Sequence, residues 1–261
     1  MKLRQFQVDA FAARPFEGNP AAVVPLENWL PDELMQAIAM ENNLAETAFF
    51  VPESEGFRLR WFTPAVEVDL CGHATLASAH ILFQHLNWSQ DAIPFFTRSG
   101  KLTVNRVSDR AYAMNFPADF ARRVDTPPVI VTGLGVEPLE VLRGKDDYLA
   151  VLSGEEEVLN LQPDFRAIGS LSSRGLIATA PGKEVDFVSR CFFPQSGIDE
   201  DPVTGSAHTA MTPYWSAKLG KVSLKARQLS RRGGEVGCTL SGDRVILEGL
   251  AVTVLEGTLT Y

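Results

Sequence analysis

The pattern of hydrophobic and polar positions along the chain predicts a mixture of strands and helices. Residues 57–62 largely alternate between bulky apolar and polar side chains, which is typical of a half-buried strand. Two further runs, 102–107 and 111–116, flank three polar residues and predict a β-hairpin. Residues 244–248 and 252–255 predict two more strands.

The predicted helices are of two kinds. Residues 31–43 begin with Pro31 and two acids, and their apolar positions share one face, which indicates an amphipathic helix. Residues 74–86 are apolar on nearly every side, and the first half of residues 207–219 is similar. A helix of this second kind is normally buried inside its domain. The pattern therefore predicts two lobes, each a curved sheet around a central helix.

An internal repeat supports two lobes. When the chain is shifted by 130 residues, five pairs of identical residues coincide between residues 60–80 and 190–210. They are Arg60 and Arg190, Phe62 and Phe192, Pro64 and Pro194, Asp69 and Asp199, and Ala77 and Ala207. In this register Cys71 corresponds to Asp201. We expect a first lobe of residues 1–116, with a returning strand at about 251–261, and a second lobe of residues 117–250.

Composition and charge restrict the functional classes. The chain has 261 residues and a net charge of −8, which argues against binding to nucleic acids or to an anionic membrane surface. No apolar run approaches the ~20 residues needed to cross a bilayer, and polar residues interrupt the N-terminal segment. The three cysteines are far apart and lack C-x-x-C spacing, which fits a reducing compartment. We therefore expect a cytoplasmic protein.

Glu46 is the first candidate for chemistry. It lies between a predicted helix end and an apolar strand, where a carboxylate loses part of its hydration and is suited to act as a general acid or base. An ordinary surface glutamate at a helix end is the alternative.

The second candidate segment is residues 69–75, D-L-C-G-H-A-T. Gly72 allows a ligand to approach the backbone closely, and the N–H groups of the helix that follows form an anion site suited to a carboxylate. His73 would add a hydrogen bond or a proton, and Cys71 a thiolate. The alternatives are a core histidine and a small buried cysteine.

The third candidate segment is residues 199–208, where acids precede a Gly-Ser turn and a second buried helix. Ser206 is expected to cap this helix, the amides at Gly205 to bind an anion, and Asp201 to face the same turn. An ordinary capped helix with surface acids is the alternative. Asn19, in the turn Gly18-Asn19-Pro20, is a further candidate ligand contact.

The sequence predicts neither a metal nor a cofactor. His80 and His85 are five residues apart rather than four, and no carboxylate joins them. Neither a G-x-G-x-x-G nor a Walker motif is present, so that we expect no nucleotide cofactor.

Together these segments resemble the PhzF family of phenazine-biosynthesis-like proteins. The similarity spans nearly the whole chain and is carried by long motifs. They are GNPAAVV at 18–24, NLAETAF at 43–49, RWFTP at 60–64, EVDLCGHAT at 67–75, DPVTGSAH at 201–208, RGGE at 232–235, GDRV at 242–245 and AVTVLEG at 251–257.

The resemblance implies an α+β fold like that of diaminopimelate epimerase, with two pseudo-symmetric lobes that are each a β-barrel-like sheet around a helix. In the phenazine enzyme, a Glu in N-L-x-E-T takes up and returns a proton while a dihydro-hydroxyanthranilate is isomerised, and the matching residue is Glu46. His73, Asp201 and Ser206 match its substrate contacts. The resemblance further implies a homodimer and catalysis without a cofactor.

Two alternatives to such an isomerase stay open at this point. Diaminopimelate epimerase uses two cysteines as acid and base, so that Cys71 and Asp201 would form the corresponding pair of a racemase or epimerase. The other alternative is a protein that binds a small carboxylate-bearing metabolite without catalysis.

Overall fold

The chain folds into two compact units. A computed structural model describes residues 2–261, of which residues 2–115 and 248–261 form unit 1 and residues 116–247 form unit 2. None of the helices in the described residues is long and apolar enough to cross a membrane.

The elements follow one another in mixed order. The first part of the chain contains β1 Lys2–Ala10, β2 Asn19–Pro25, α1 Asp32–Asn42, β3 Glu46–Glu53, β4 Gly56–Phe62, β5 Glu67–Val68, α2 Gly72–Gln84, β6 Ala92–Thr97, β7 Gly100–Arg106 and β8 Ala111–Pro117. The second part contains β9 Arg122–Val124, α3 Pro128–Leu134, β10 Glu140–Arg143, β11 Asp147–Val151, α4 Glu155–Leu159, α5 Phe165–Ile168, β12 Gly175–Pro181, β13 Phe187–Phe193, a 3-10 turn Pro194–Ser196, β14 Ile198–Asp201, α6 Gly205–Leu219, β15 Ser223–Gln228, β16 Gly234–Ser241 and β17 Arg244–Thr260.

The strands of unit 1 form a closed ring. In order, β17, β1, β2, β3, β4, β6, β7 and β8 pair with their neighbours, and β8 pairs back to β17. The pairs β2–β3 and β4–β6 are parallel, whereas β1 is antiparallel to both β2 and β17. A closed ring leaves no free sheet edge.

Helix α2 packs against β1, β2, β3 and β7 of this ring. Small side chains such as Ala74 and Ala77 let the helix approach the strands closely, and its residues from His73 to Phe83 are all buried. Its buried hydroxyls are bonded locally: Thr75 donates to the carbonyl of Cys71, and Ser78 donates to that of Ala74. The predicted buried helix is confirmed.

In unit 2, the strands β12 and β13 are covered on both faces. Val188 and Phe192 join an apolar cluster with Ile130 of α3 and Val158 of α4. On the other face, the ring of Phe187 stacks on Trp215 of α6 at 5.9 Å. Because successive side chains of a strand point to opposite faces, a strand covered on both sides carries a nearly continuous apolar run.

Proline 213 lies inside α6 without breaking it. Proline has no N–H group, so that the carbonyl of Thr209, four residues earlier, loses its helical donor. The N–H of Asp119 donates to this carbonyl at 3.1 Å instead. The bond from outside the helix explains how a buried helix of this length tolerates the proline.

Most of the predicted elements are observed. The strand at 57–62, the hairpin of β7 and β8, and the amphipathic helix α1 are confirmed. The two strands predicted at 244–248 and 252–255 are instead one strand, β17, because Gly249 and its neighbours stay extended. The irregularity in this strand lies further on, where a β-bulge at Val254 faces Gln7 and Val8.

The internal repeat is present, but its register changes along the segment. Arg60 binds Glu67 through two hydrogen bonds and Arg190 binds Glu200 in the same way, so that the arginines are 130 residues apart and the glutamates 133. The first residues of α2 and α6 are also 133 apart. The 3-10 turn after β13 accommodates the extra residues. Cys71 therefore corresponds to Thr204, and the correspondence with Asp201 is wrong.

We expect the fold to lose stability as the pH falls from 6.5 to 4. Burial lowers the pKa of His80, in unit 1, from 6.5 to about 4, and lowers that of His208, in unit 2, to about 4 as well. Below pH 6.5 the unfolded chain binds protons that these folded histidines do not bind, so that the free energy of unfolding decreases. The loss reaches about 3 kcal/mol for each histidine at pH 4, and it is absent above pH 6.5.

Urea unfolding between pH 7.5 and 4.5 measures this dependence. The variants His80→Gln and His208→Gln should each show a shallower decrease in the free energy of unfolding than the wild type, whatever their stability at pH 7.5. Identical decreases in all three proteins would contradict the assignment.

Candidate active site

Glu46 is placed by the junction between α1 and β3. Helix α1 ends at Asn42, and Asn43 follows in the left-handed conformation with φ 49°, which turns the chain into the strand. Glu46 is then the first residue of β3 and pairs with Ala21 of β2. Its side chain is only 13% exposed, so that the carboxylate has lost most of its hydration. The predicted position between a helix end and an apolar strand is confirmed.

Cys71, Gly72 and His73 lie at the start of α2. Cys71 is the N-cap residue in an extended conformation, Gly72 opens the helix, and His73 is in its first turn. The N–H groups of a first helical turn have no intrahelical partners and carry a partial positive charge. Cys71 and His73 are each 7% exposed, so that both ionisable side chains are nearly removed from water.

The three side chains form a chain of contacts. Nε2 of His73 lies 3.1 Å from Oε2 of Glu46, and Nδ1 of His73 lies 3.6 Å from Sγ of Cys71. The sulfur and the carboxylate therefore contact opposite nitrogens of one imidazole ring. The structure thus brings Glu46, His73 and Cys71 together. The sequence alone did not predict these contacts.

This arrangement differs from a metal site. The ligand atoms of Glu46, Cys71 and His73 lie within 4.8 Å of one another, which is close enough to consider a shared ion. A single ion binds a histidine through one ring nitrogen, whereas the sulfur and carboxylate contact different nitrogens here. The contacts are better suited to proton transfer between the three side chains than to the coordination of a cation.

The neighbouring acids control the charge of His73. Burial alone disfavours the imidazolium, but Cys71 and Glu46 outweigh burial and raise the pKa of His73 well above 6.5. Burial raises the pKa of the Cys71 thiol, so that the thiol keeps its proton near neutral pH. Near neutral pH these shifts favour a protonated His73 ring that lies 3.1 Å from the Glu46 carboxylate and beside a neutral Cys71 thiol.

The predicted residues of the second lobe form a separate set in unit 2. Oγ1 of Thr204 donates to Asp201 at 2.5 Å, and the N–H of Thr204 donates to Oε1 of Gln228 at 2.9 Å. Gln228 in turn donates to the carbonyl of Asp201 at 2.7 Å. Thr204 and Gln228 therefore bind both the carboxylate and the carbonyl of Asp201 just before α6 begins at Gly205.

Ser206 does not cap α6, contrary to the prediction. The N-cap residue is Thr204, and Ser206 follows Gly205 inside the first turn. Oγ of Ser206 instead accepts a hydrogen bond from Nη2 of Arg174 at 3.0 Å. Because its oxygen accepts from the guanidinium, the hydroxyl proton of Ser206 is left to donate elsewhere.

Arg174 and Asp147 were missed by the sequence analysis. The guanidinium of Arg174 binds the carboxylate of Asp147 through two hydrogen bonds and lies over the ring of Phe193 at 5.1 Å. The two residues are 27 positions apart on different strands or loops, and no motif joins them. The one available signal is an aspartate that begins the apolar strand β11.

Asn19 is the first residue of β2 and is fully buried. Gly18 before it has φ 65°, and a Cβ there would lie 2.1 Å from the carbonyl oxygen of Ala10, so that this position requires glycine. The predicted role of Asn19 as a ligand contact stays a prediction.

Comparison with known proteins agrees with the resemblance that the sequence motifs carry. Residues 8–257 match the family model PhzC-PhzF, phenazine biosynthesis-like protein. An uncharacterized isomerase of Pseudomonas aeruginosa is 51% identical over 259 residues, which are 99% of each chain. A crystal structure of a PhzF-family phenazine biosynthesis protein from Enterococcus faecalis has a TM-score of 0.97 at 45% identity and covers 100% of both chains.

A more distant structure supports the fold class. The hydroxyproline epimerase of Agrobacterium vitis has a TM-score of 0.64 at 11% identity, with 99% of this chain and 91% of that one covered. At this identity the similarity concerns the fold alone. The predicted α+β fold of the diaminopimelate epimerase type, with two similar lobes, is confirmed.

The ion pair of Arg174 and Asp147 offers a test of the structure of unit 2. The side chain of Asp147 is 8% exposed and that of Arg174 is 38% exposed, so that Arg174→Met should leave a buried carboxylate without its partly exposed cation and lower the free energy of unfolding by about 1–3 kcal/mol. The matched control is Arg227→Met, since Arg227 pairs with Glu235, whose side chain is 69% exposed, and this loss should be below about 1 kcal/mol. Chemical denaturation measures both. Equal losses of unfolding free energy in the two variants would contradict the larger contribution expected of the Asp147 pair.

Proposed function

The chain belongs to the PhzC-PhzF family of phenazine biosynthesis-like proteins and is an isomerase, and we propose that it moves a proton between two carbon atoms of a small carboxylate-bearing metabolite, with Glu46 as the acid and base. No cofactor takes part in the proposed reaction. The predicted homodimer and cytoplasmic location remain predictions.

The contact between Glu46 and His73 carries the proposal. Oε2 of Glu46 lies 3.1 Å from Nε2 of His73 in an ion pair, so that Oε1 is the oxygen we assign to the substrate proton. A mostly buried carboxylate with one oxygen against a charged ring has a restricted orientation. Orientation and fixed electrostatics are the main contributions of such a site to catalysis.

The proposed reaction is a proton shift within one substrate molecule. Oε1 of Glu46 removes a proton from a carbon that is activated by an adjacent unsaturated group, and the electron pair of the broken C–H bond enters the conjugated system. The carboxylic acid of Glu46 then returns the same proton to a second carbon of that system. Atoms and electrons balance without an oxidant or reductant, and Glu46 ends as a carboxylate.

We infer that the substrate carboxylate binds at the first turn of α2. The N–H groups at Gly72 and His73 have no partners within the helix, and the glycine lets an anion approach them. The resemblance assigns further substrate contacts to Asp201 and Ser206, and we infer that the backbone amides at Gly205 also bind an anion. The hydroxyl proton of Ser206, left available by Arg174, suits a carboxylate acceptor.

An amino-acid racemase or epimerase remains the alternative reaction. It would use the Cys71 thiol as one acid and Asp201 as the other. The corrected repeat register weakens this pairing, because Thr204 rather than Asp201 occupies the position equivalent to Cys71. A threonine hydroxyl does not exchange protons with carbon at neutral pH.

Glu46→Gln should abolish proton transfer and preserve the fold. Glutamine keeps the shape and a hydrogen bond to His73 but cannot take up a proton, so that turnover should fall by about 10²–10⁴-fold. Proton NMR in D₂O detects deuterium that enters carbon positions of dihydro-hydroxyanthranilate, other carboxylate-bearing dienes and amino acids.

The matched control is Glu53→Gln, at the far end of the same strand, where Glu53 pairs with Arg58 on the surface. Deuterium should enter the substrate at the wild-type rate with this control. Undiminished exchange with Glu46→Gln would sink the proposed role of Glu46. Binding without exchange, even by the wild type, would favour a protein that only binds its metabolite.

Cys71→Ser separates the two reactions. A serine hydroxyl forms the same hydrogen bonds as the thiol but is too weak an acid to donate to carbon. Under the proposed mechanism this variant should retain turnover within about threefold, whereas a racemase that uses Cys71 should lose roughly 10² or more. The deuterium assay above measures both cases.

A further inference from the structure

The proposed reaction uses only one edge of the His73 ring. Nε2 faces Glu46, whereas Nδ1 on the opposite edge lies 3.6 Å from Sγ of Cys71. The proposed reaction gives this thiol no role. Both side chains are buried, and an imidazole nitrogen buried without a partner carries a desolvation cost. The thiol therefore has a physical role that the proton shift itself does not describe.

A thiol is suited to this position because it is both a donor and an acceptor. When the ring is neutral, S–H donates to Nδ1, so that the remaining ring proton must be on Nε2, the nitrogen that lies 3.1 Å from Oε2 of Glu46. When the ring is protonated, the sulfur accepts from Nδ1–H instead. In either state Nε2 keeps a proton toward the carboxylate, and a rotation of the ring would break both contacts.

We propose that Cys71 is a positioning residue for His73, whose thiol holds Nδ1 so that Nε2 always presents a proton to Glu46. The sulfur is not proposed to touch substrate. The importance of this contact for turnover rests on the proposed function, whereas the contact itself is tested without a substrate.

Two groups determine the charge of His73 in this arrangement, Cys71 from the N-cap of α2 and Glu46 from β3. The other strands that pack on α2 carry titratable groups with partners of their own. Asp9 of β1 accepts from the N–H of Phe16, and Arg106 of β7 lies over the ring of Phe83 at the far end of α2. The protonation of His73 should therefore respond mainly to changes at its two direct neighbours.

Nitrogen-15 NMR of the full chain reports the protonation of each ring nitrogen. The sequence has four histidines, so that the spectrum is simple and His73→Gln identifies the signals of His73. In the wild type, we expect a hydrogen on Nε2 throughout the titration and a pKa above 6.5. A neutral His73 that carries its proton on Nδ1 would overturn the proposal without any variant.

Two substitutions then test the thiol itself. Cys71→Ala removes the partner of a charged ring and should lower the measured pKa of His73 by about one to two units. Cys71→Ser restores a donor and acceptor and should return the pKa to within about half a unit of the wild type. Cys238→Ala is the matched control, because Cys238 is also a buried thiol but bonds the carbonyl of Val236 in unit 2.

The outcomes separate this proposal from the proposed function. If Cys71→Ala titrates like the wild type, or if serine fails to restore the pKa, the positioning role is wrong even if Glu46 is catalytic. If the titrations behave as expected but Glu46→Gln keeps its turnover, the contact is real and the proposed function is wrong. If both proposals are correct, turnover should fall about tenfold in Cys71→Ala and recover in Cys71→Ser. The pH dependence of turnover in Cys71→Ala should shift by the same amount as the pKa of His73 measured by NMR.

Discussion

The burial of α2 on every side is the constraint on which unit 1 depends. The ring of strands around this helix excludes water, so that each polar group inside must find a local partner, as Thr75 and Ser78 do one turn earlier along the helix. The first turn of α2 differs, because its N–H groups have no partners within the helix and remain available for other hydrogen bonds. Glu46 and His73 meet at this turn. The fold thus places ionisable side chains at the first turn of α2, where water is excluded and backbone N–H groups have no partners within the helix.

Two histidines of the same helix show how strongly local partners decide charge. His73 and His80 are both buried, and burial alone lowers the pKa of each. His80 is bonded to the hydroxyls of Tyr112 and Thr253, and its pKa falls to about 4. His73 faces Glu46 and Cys71, and its pKa rises instead. Close acidic neighbours, here Cys71 and Glu46, therefore favour a protonated ring at a buried position where burial alone favours a neutral one.

The two units keep a common frame but differ in their chemistry. The paired arginine and glutamate beside each buried helix are retained, as Arg60 with Glu67 and Arg190 with Glu200. At the helix N-termini the side chains have diverged: the position of Cys71 is occupied by Thr204, and that of His73 by Ser206. The two positions that carry a thiol and an imidazole in unit 1 therefore carry hydroxyl groups in unit 2.

The sequence by itself determined the buried helices, most strands and the candidate residues Glu46, Cys71 and His73. Helical and strand periodicity are local properties, so that the all-round apolar character of residues 74–86 and the position of Glu46 before an apolar strand could be read directly. The tertiary structure decided everything that depends on distance between remote residues. The order Cys71, His73, Glu46 around one ring requires that β3 and α2 pack side by side, and the bond from Arg174 to Ser206 joins residues 32 positions apart. The three-residue change in the repeat register likewise follows from a short 3-10 turn, because a strand and a helix are each regular while the connection between them can vary in length.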